Sequence, residues 1–170
     1  MTLLRTFILI FLLPMSAIAQ GANIALGTGA FDSGLPVEVT ADEFTVDQST
    51  GKAEFNGNVL VVQGDVRMSA SKVTIEYSQG DGTDTPNGIS RLLASGGVTF
   101  VTATDAAEAK DAVYSVAEGT VTMSGEVLLT QGQSAIAGDR LVVNLASGNG
   151  RMEGRVRTVF APSTTDGGDQ

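Results

Sequence analysis

The chain of 170 residues contains no cysteine, no histidine and no tryptophan. Without cysteine there are no disulfides and no thiol chemistry. Without histidine there are no Ser-His-Asp triads, no Cys-His nucleophile pairs and no histidine metal sites. Stability must then come from the burial of apolar side chains and from strand pairing. We therefore expect a binding or structural protein without a cofactor or metal, and not an enzyme.

Basic residues are also scarce, with 10 Lys and Arg against 19 Asp and Glu and a net charge of −9. This balance disfavours nucleic acid and anionic membranes as electrostatic partners, and ordinary solubility explains the acidity.

The remaining acidic and glycine-rich segments do not indicate a catalytic or nucleotide site. Asp42 and Glu43 are adjacent, so on a strand they point to opposite faces and cannot act on one substrate. Asp81 and Asp84 lie in a loop and are typical of solvated turns, although they could hold a cation. A phosphate loop requires a strand before it and a helix after it, and the sequence predicts neither around Gly27–Gly29.

The two ends of the chain differ in composition from the middle. Residues 1–19 combine Arg5, an apolar run shorter than a membrane span and the small residues Ser16-Ala17-Ile18-Ala19, which predicts a signal peptide cleaved after Ala19. Residues 20–36 are rich in Gly and Ala and predict a flexible leader. Residues 161–170 predict a disordered tail. The folded domain is expected over residues 37–160.

The middle of the chain repeats itself. The stretch from Phe55 aligns without gaps on the stretch from Met123, which places Gln63-Gly64 on Gln131-Gly132. Equivalent valines stand at positions 59, 98, 127 and 156, in steps of 39, 29 and 29 residues, and the longer step contains an extra loop at 80–88. A period of this size predicts an elongated β architecture of units that stack on one another.

Within each copy, apolar and polar residues alternate, which predicts strands with one buried face. The alternation shifts by one inside each copy, as from Met68 and Ala70 to Val73, and such a shift predicts a bulge or corner. Residues 103–112 have a helix-forming composition but occupy a strand position of the repeat, so we predict a strand there. Turn signals occur at 56–57, 63–65, 87–88, 131–132 and 148–150.

The predicted interior is aliphatic and fits either a filled core or a channel for acyl chains; composition does not separate the two. The residues expected to face it, as candidates for lipid binding, are Phe55, Val59, Val61, Met68, Ile75, Val98, Phe100, Met123, Val127, Leu129, Ile136, Leu141 and Val143.

Residues 39–47 (VTADEFTVD) and 51–64 (GKAEFNGNVLVVQG) resemble the opening of the LptA (OstA-like) family of periplasmic lipopolysaccharide (LPS) transport proteins. Further family-like elements are residues 68–75 (MSASKVTI) and 136–143 (IAGDRLVV). The resemblance covers about residues 37–160. It implies an open, elongated β-jelly-roll of repeated short antiparallel strands that shields the lipid A acyl chains of LPS between the inner and outer membranes.

The resemblance also implies partners: an LptC-like inner-membrane component and an LptD-like outer-membrane translocon, joined end to end with this protein. We expect Val37, Val39, Val156 and Val159 to lie on the partner edge strands. The first strand, 37–44, is acidic and the last, 155–161, contains two arginines, which favours head-to-tail contacts, including a head-to-tail homo-oligomer.

Two other functions remain open on the sequence. One is a secreted structural β-repeat protein that polymerises through its edge strands without lipid. The other is a membrane-anchored relative of the LptC type, in which the N-terminal segment would stay attached.

Overall fold

The computed structural model describes residues 22–26, 34–47, 49–78 and 88–160. The strands are β1 (Ala22–Ala25), β2 (Glu38–Thr40), β3 (Glu43–Asp47), β4 (Lys52–Gln63), β5 (Val66–Tyr77), β6 (Ile89–Val101), β7 (Asp105–Ser115), β8 (Thr120–Gln131), β9 (Ser134–Asn144), β10 (Asn149–Glu153) and β11 (Arg157–Val159). None of the described ranges contains a helix that could cross a membrane. The predicted signal peptide, nearly all of the inserted loop and the predicted tail lie outside the described residues.

All strands join one antiparallel sheet in the order β1-β10-β9-β8-β7-β6-β5-β4-β2, with β11 also paired to β9 and β3 to β4. Successive strands from β4 to β9 are neighbours. Connections of two to four residues join all of them except β5 and β6, between which the inserted loop lies. The all-β prediction is confirmed. Of the segment 103–112 with its helix-like composition, residues 105–112 lie in β7, as the repeat predicted.

A row of corners crosses the sheet. At each corner two consecutive residues have positive φ, a conformation that glycine adopts at no steric cost. The four such pairs in the described residues are Gly57-Asn58, Gly96-Gly97, Gly125-Glu126 and Gly154-Arg155. Each pair directly precedes one of the repeated valines, so the period of the sequence is the period of the corners. Around the first three, two residues oppose one on the neighbouring strand, which makes each corner a β-bulge.

One residue of a neighbouring strand fills the space opposite each corner glycine. That residue is Asp42, Ser71, Lys110 or Asp139 in turn, each close enough to clash with an added Cβ. Three of these side chains also bind the residue after the glycine. Asp42 accepts from Asn58 at 2.8 Å, Lys110 pairs with Glu126 at 2.9 Å and Asp139 pairs with Arg155 at 2.7 Å. The corners are therefore fixed by backbone geometry and by a cross-strand contact together.

The corners divide the sheet into two halves, which we call half-sheet A and half-sheet B. Half-sheet A contains β2, β11 and residues 59–63, 66–70, 98–101, 105–109, 127–131 and 134–138. Half-sheet B contains β1, β3, β10 and residues 52–56, 72–77, 89–95, 111–115, 120–124 and 140–144. The inner faces of both form a single buried apolar cluster, so the halves fold onto each other along the corners.

The predicted change of alternation is confirmed, because Met68, Ala70, Val73 and Ile75 are all buried on the inner face. The turn predicted at Asn56-Gly57 is wrong, since those residues lie inside β4 at its bulge. A turn and a bulge both need positive φ, and Asn-Gly signals either one. Because the strands continue through their bulges and do not end there in turns, β4 to β9 contain 11–13 residues each and are longer than the short strands expected.

Three expectations about the chain ends also differ from the structure. The first strand is split: β2 pairs with half-sheet A and β3 with half-sheet B, with the corner residue Asp42 between them. The last strand is shorter than predicted, and Arg155 lies in the corner before β11. Part of the segment predicted as a flexible leader is the strand β1, which pairs along the whole of its length with β10.

Candidate functional site: a groove between two half-sheets

The space between the half-sheets contains the predicted interior residues. Of the thirteen candidates, all except Phe55 are buried, and Phe55 is partly buried and packs against the same cluster. They come from β4, β5, β6, β8 and β9, where apolar residues on both sides of each corner point inward. The structure thus brings the candidates together on one continuous apolar surface. Lipid binding by these residues stays a prediction.

Where the described residues of the two half-sheets face each other across the groove, their side chains leave little space. An apolar cavity between the half-sheets has a volume of about 20 Å³ and is lined by Val61, Gln63, Val66, Met68, Phe100, Tyr114, Val121 and Leu145. A space of that size holds about one water molecule. An acyl chain therefore enters only if the half-sheets move apart.

The inner face becomes exposed where β3 ends the sheet. Phe44 pairs with Phe55 and Val46 with buried Ala53, so both β3 residues point to the inner side. Nevertheless, Phe44 and Val46 are each 56% exposed, and no strand of the described residues pairs with β3 on its outer edge. The rings of Phe44 and Phe55 stack with centroids 4.6 Å apart. The groove therefore has an open apolar end at this edge.

The long side opposite the corners, which we call the mouth, is closed by polar contacts between the half-sheets. Tyr114 of half-sheet B donates its hydroxyl to Gln63 Oε1 of half-sheet A at 3.0 Å, and Gln63 is only 4% exposed. Burial raises the pKa of Tyr114, so its hydroxyl keeps its proton and donates. Gln131 of half-sheet A donates its amide to the backbone carbonyl of Ala25 at 2.7 Å and to Asp105 Oδ1 at 3.0 Å. A few hydrogen bonds, either between neutral groups or between an amide and a carboxylate, thus hold the mouth closed.

The outer faces carry cross-strand ion pairs. Glu76 on β5 contacts Lys52 at 2.9 Å and Arg91 at 2.6 Å, and Lys72 contacts Glu54 at 2.9 Å. The hydrogen bond from Lys52 and, to a smaller extent, the contact with Arg91 hold the pKa of Glu76 below its ordinary value. These contacts keep the outside of the groove polar while the inside is aliphatic.

The four predicted edge residues divide between the two ends of the sheet. Val37 and Val39 are partly buried against the core at the β2 end. Val156 and Val159 are exposed at the β11 end, Val159 by 61%. Since Asp139 binds Arg155, the positive charge of this edge rests mainly on Arg157 rather than on two arginines.

No group of three or more His, Cys, Asp or Glu residues in the described ranges is arranged to hold a metal ion. Of the acidic residues considered from the sequence, Asp42 is a corner residue bonded to Asn58. Asp81 and Asp84 lie outside the described residues.

Residues 38–149, which contain the first three corners and most of both half-sheets, match the model of the LptA/(LptD N-terminal domain) LPS transport protein family. The chain belongs to this family. Membership confirms the resemblance seen in residues 39–64 and assigns the chain a general role in LPS transport.

Similar proteins agree over nearly the whole chain. The lipopolysaccharide export system protein LptA of Escherichia coli K12 is 26% identical over 168 residues, covering 89% of this chain and 86% of LptA. An uncharacterised protein of Rhizobium meliloti is 25% identical over 159 residues, covering 90% of this chain and 86% of that protein. The crystal structure of LptH from Pseudomonas aeruginosa, described as a periplasmic LptA homologue, aligns with a TM-score of 0.67 at 19% identity, covering 78% of this chain and 99% of LptH. That likeness confirms the jelly-roll-like fold.

Sequence reasoning missed the polar mouth and the exposed apolar end. Gln63 and Gln131 occupy equivalent positions of the repeat, and that equivalence was the available signal that both make hydrogen bonds at the mouth. Phe44 and Val46 alternate with polar residues in β3, as inner-face residues do, but exposure at an edge depends on which strands lie above it.

Proposed function

We propose that the protein is a periplasmic carrier that shields the lipid A acyl chains of LPS between half-sheets A and B. The observation that carries this proposal is a continuous aliphatic inner surface that ends, uncovered, at Phe44 and Val46 of β3. An exposed apolar end has no value for a closed core, but it suits a groove through which chains pass. Family membership supports the cargo class.

The energetics favour such a carrier. Burying one methylene group is worth about 0.8 kcal/mol, so an acyl chain of a dozen carbons gains roughly 10 kcal/mol by leaving water. Opening the groove leaves the pairing of β4 to β9 intact, because the backbone hydrogen bonds of these strands run between neighbours within each half-sheet. What must be given up is the apolar contact between the halves, which the acyl chain replaces, and the few hydrogen bonds at the mouth.

The ends of the sheet fit assembly with similar jelly-rolls. Beyond β3 and β11 no further strand pairs in the described residues, and such edges accept a strand from another molecule. The β3 edge carries Glu43 and Asp47, whereas the β11 edge carries Arg157, so opposite charges meet in a head-to-tail arrangement. LptC-like and LptD-like components are the partners proposed for these ends, and a second copy of this chain would fit in the same way.

Site-specific photo-crosslinking in cells tests the carrier function. Benzoyl-phenylalanine adds a second ring to phenylalanine, for which there is room at the exposed Phe44 and the partly buried Phe55, whereas at buried Val61 and Leu129 the larger side chain would have to displace the core. We expect crosslinks to LPS from Phe44 and Phe55. The matched controls are Thr45, next to Phe44 on the opposite face of β3, and its partner Glu54. Equal capture of LPS from Thr45 and Glu54 would contradict an interior path.

A further inference from the structure

The segment before β2 contacts the mouth of the groove near both ends. At the β10 end, Ala25 accepts from Gln131 at 2.7 Å. At the β4 end, Leu35 accepts from Gln63 Nε2 at 2.9 Å. The two glutamines are equivalent in the repeat, and each donates its side-chain amide to a backbone carbonyl of this segment. Leu26 and Leu35 therefore lie at opposite ends of the mouth, although they are nine residues apart in the chain.

Residues 22–26 join the two half-sheets. Through β1 they extend half-sheet B, pairing with β10, and the Leu26 N–H donates to the Gly148 carbonyl in the β9–β10 turn at 2.6 Å. Through Ala25 they bind Gln131 of half-sheet A. A single short strand thus crosses the gap that has to widen when the groove opens.

The same residues cover the groove with apolar side chains. Ile24 and Leu26 are buried and belong to the core cluster. The Leu26 side chain occupies the place that a Cβ on Gly150 would take, and the next nearest atoms there are the Ile24 carbonyl oxygen and a methyl group of Leu141 on the inner face, both at 3.6 Å. The absence of a side chain at Gly150 therefore leaves the apolar site, or seat, in which the Leu26 side chain packs.

We propose that residues 22–26 form a strap that closes the mouth of the empty groove, with Gln131 as its clasp, and that an entering acyl chain displaces it. The inference rests on the proposed function for the nature of the cargo. The strap lies outside residues 38–149, the part of the chain that matches the family model. Its apolar residues and the cargo compete for one surface, which makes closure and loading mutually exclusive.

Two variants release the strap by different means. Gln131→Ala removes the clasp, and Leu26→Asp places a charge in the apolar seat over Gly150. The matched control is Gln133→Ala, two residues further on in the exposed β8–β9 turn. Circular dichroism establishes that each variant keeps its β-sheet content.

The first measurement is hydrogen exchange of the Leu26 amide in the lipid-free protein. Loss of one hydrogen bond of ordinary strength predicts exchange roughly fivefold faster in Gln131→Ala than in wild type and in Gln133→Ala. Unchanged exchange in Gln131→Ala would overturn the clasp, whatever the protein binds.

The second measurement is the rate at which the fluorescent fatty acid cis-parinaric acid enters the groove. Both strap variants are expected to take it up faster than wild type and Gln133→Ala. Faster exchange at Leu26 with an unchanged uptake rate would overturn the strap as a closure. Failure of every variant and of wild type to bind cis-parinaric acid and LPS would instead contradict the proposed function, while the exchange data would still decide the strap.

Discussion

Substitution of Gly125 tests the corners on which the two half-sheets depend. Gly125 has φ of +84°, beyond the small left-handed region that other residues enter, and a Cβ added there would lie 2.9 Å from the Lys110 Cβ. Backbone strain at such a position costs about 1–3 kcal/mol, and the contact requires a further shift of the neighbouring strand. We expect Gly125→Ala to lower the free energy of unfolding by about 2–4 kcal/mol.

The assay is urea denaturation followed by circular dichroism. With a slope of roughly 2 kcal/mol per molar urea, the midpoint should fall by about 1–2 M. Gly132→Ala is the matched control, because Gly132 also has positive φ, at +57°, but an added Cβ there meets no atom within 4 Å. We expect the control to lose about 1 kcal/mol. Equal losses in the two variants would refute the role given to the corners.

Two further predictions concern the edge and the outer face. Val159→Pro removes a backbone donor from β11. Self-association measured by sedimentation and partner capture in a pull-down should therefore weaken, while the circular dichroism spectrum stays unchanged. No change in either assay would argue against assembly through the β11 edge. Lys52 and Arg91 depress the pKa of Glu76 below its ordinary 4.5, so the stability they provide is full above pH 4.5 and is lost as the pH falls through the lower folded-state pKa. Glu76→Gln should therefore show a smaller loss of stability between pH 5 and pH 2 than wild type, and parallel acid-denaturation curves would contradict the assignment.

The inner face could be predicted from sequence because the repeat and the alternation report the same physical constraint. Val59, Val98 and Val127 recur because each directly follows a positive-φ pair of a corner and is buried on the inner face. The shift of alternation between Ala70 and Val73 was visible for the same reason, since a bulge changes which face each later residue occupies.

Features that depend on distant pairing could not be predicted. The β1 strand has only four residues and no clear alternation, and it forms because β10 offers a partner more than a hundred residues away. The clasp of Gln131 on Ala25 spans 106 positions and involves a backbone carbonyl, which no residue type reveals. The division of β2 from β3 follows from the corner in β4, so it too is imposed by a neighbouring strand.

Analysis of lipid that accompanies the native protein tests the central claim most directly. The protein would be purified from cells without detergent and extracted, and its lipid A content would be compared with that of a periplasmic protein of similar size purified in parallel. A groove that shields acyl chains predicts lipid A in the extract well above the control. A structural β-repeat protein that polymerises through its edges would bring none, and an extract no richer in lipid A than the control would contradict the carrier function.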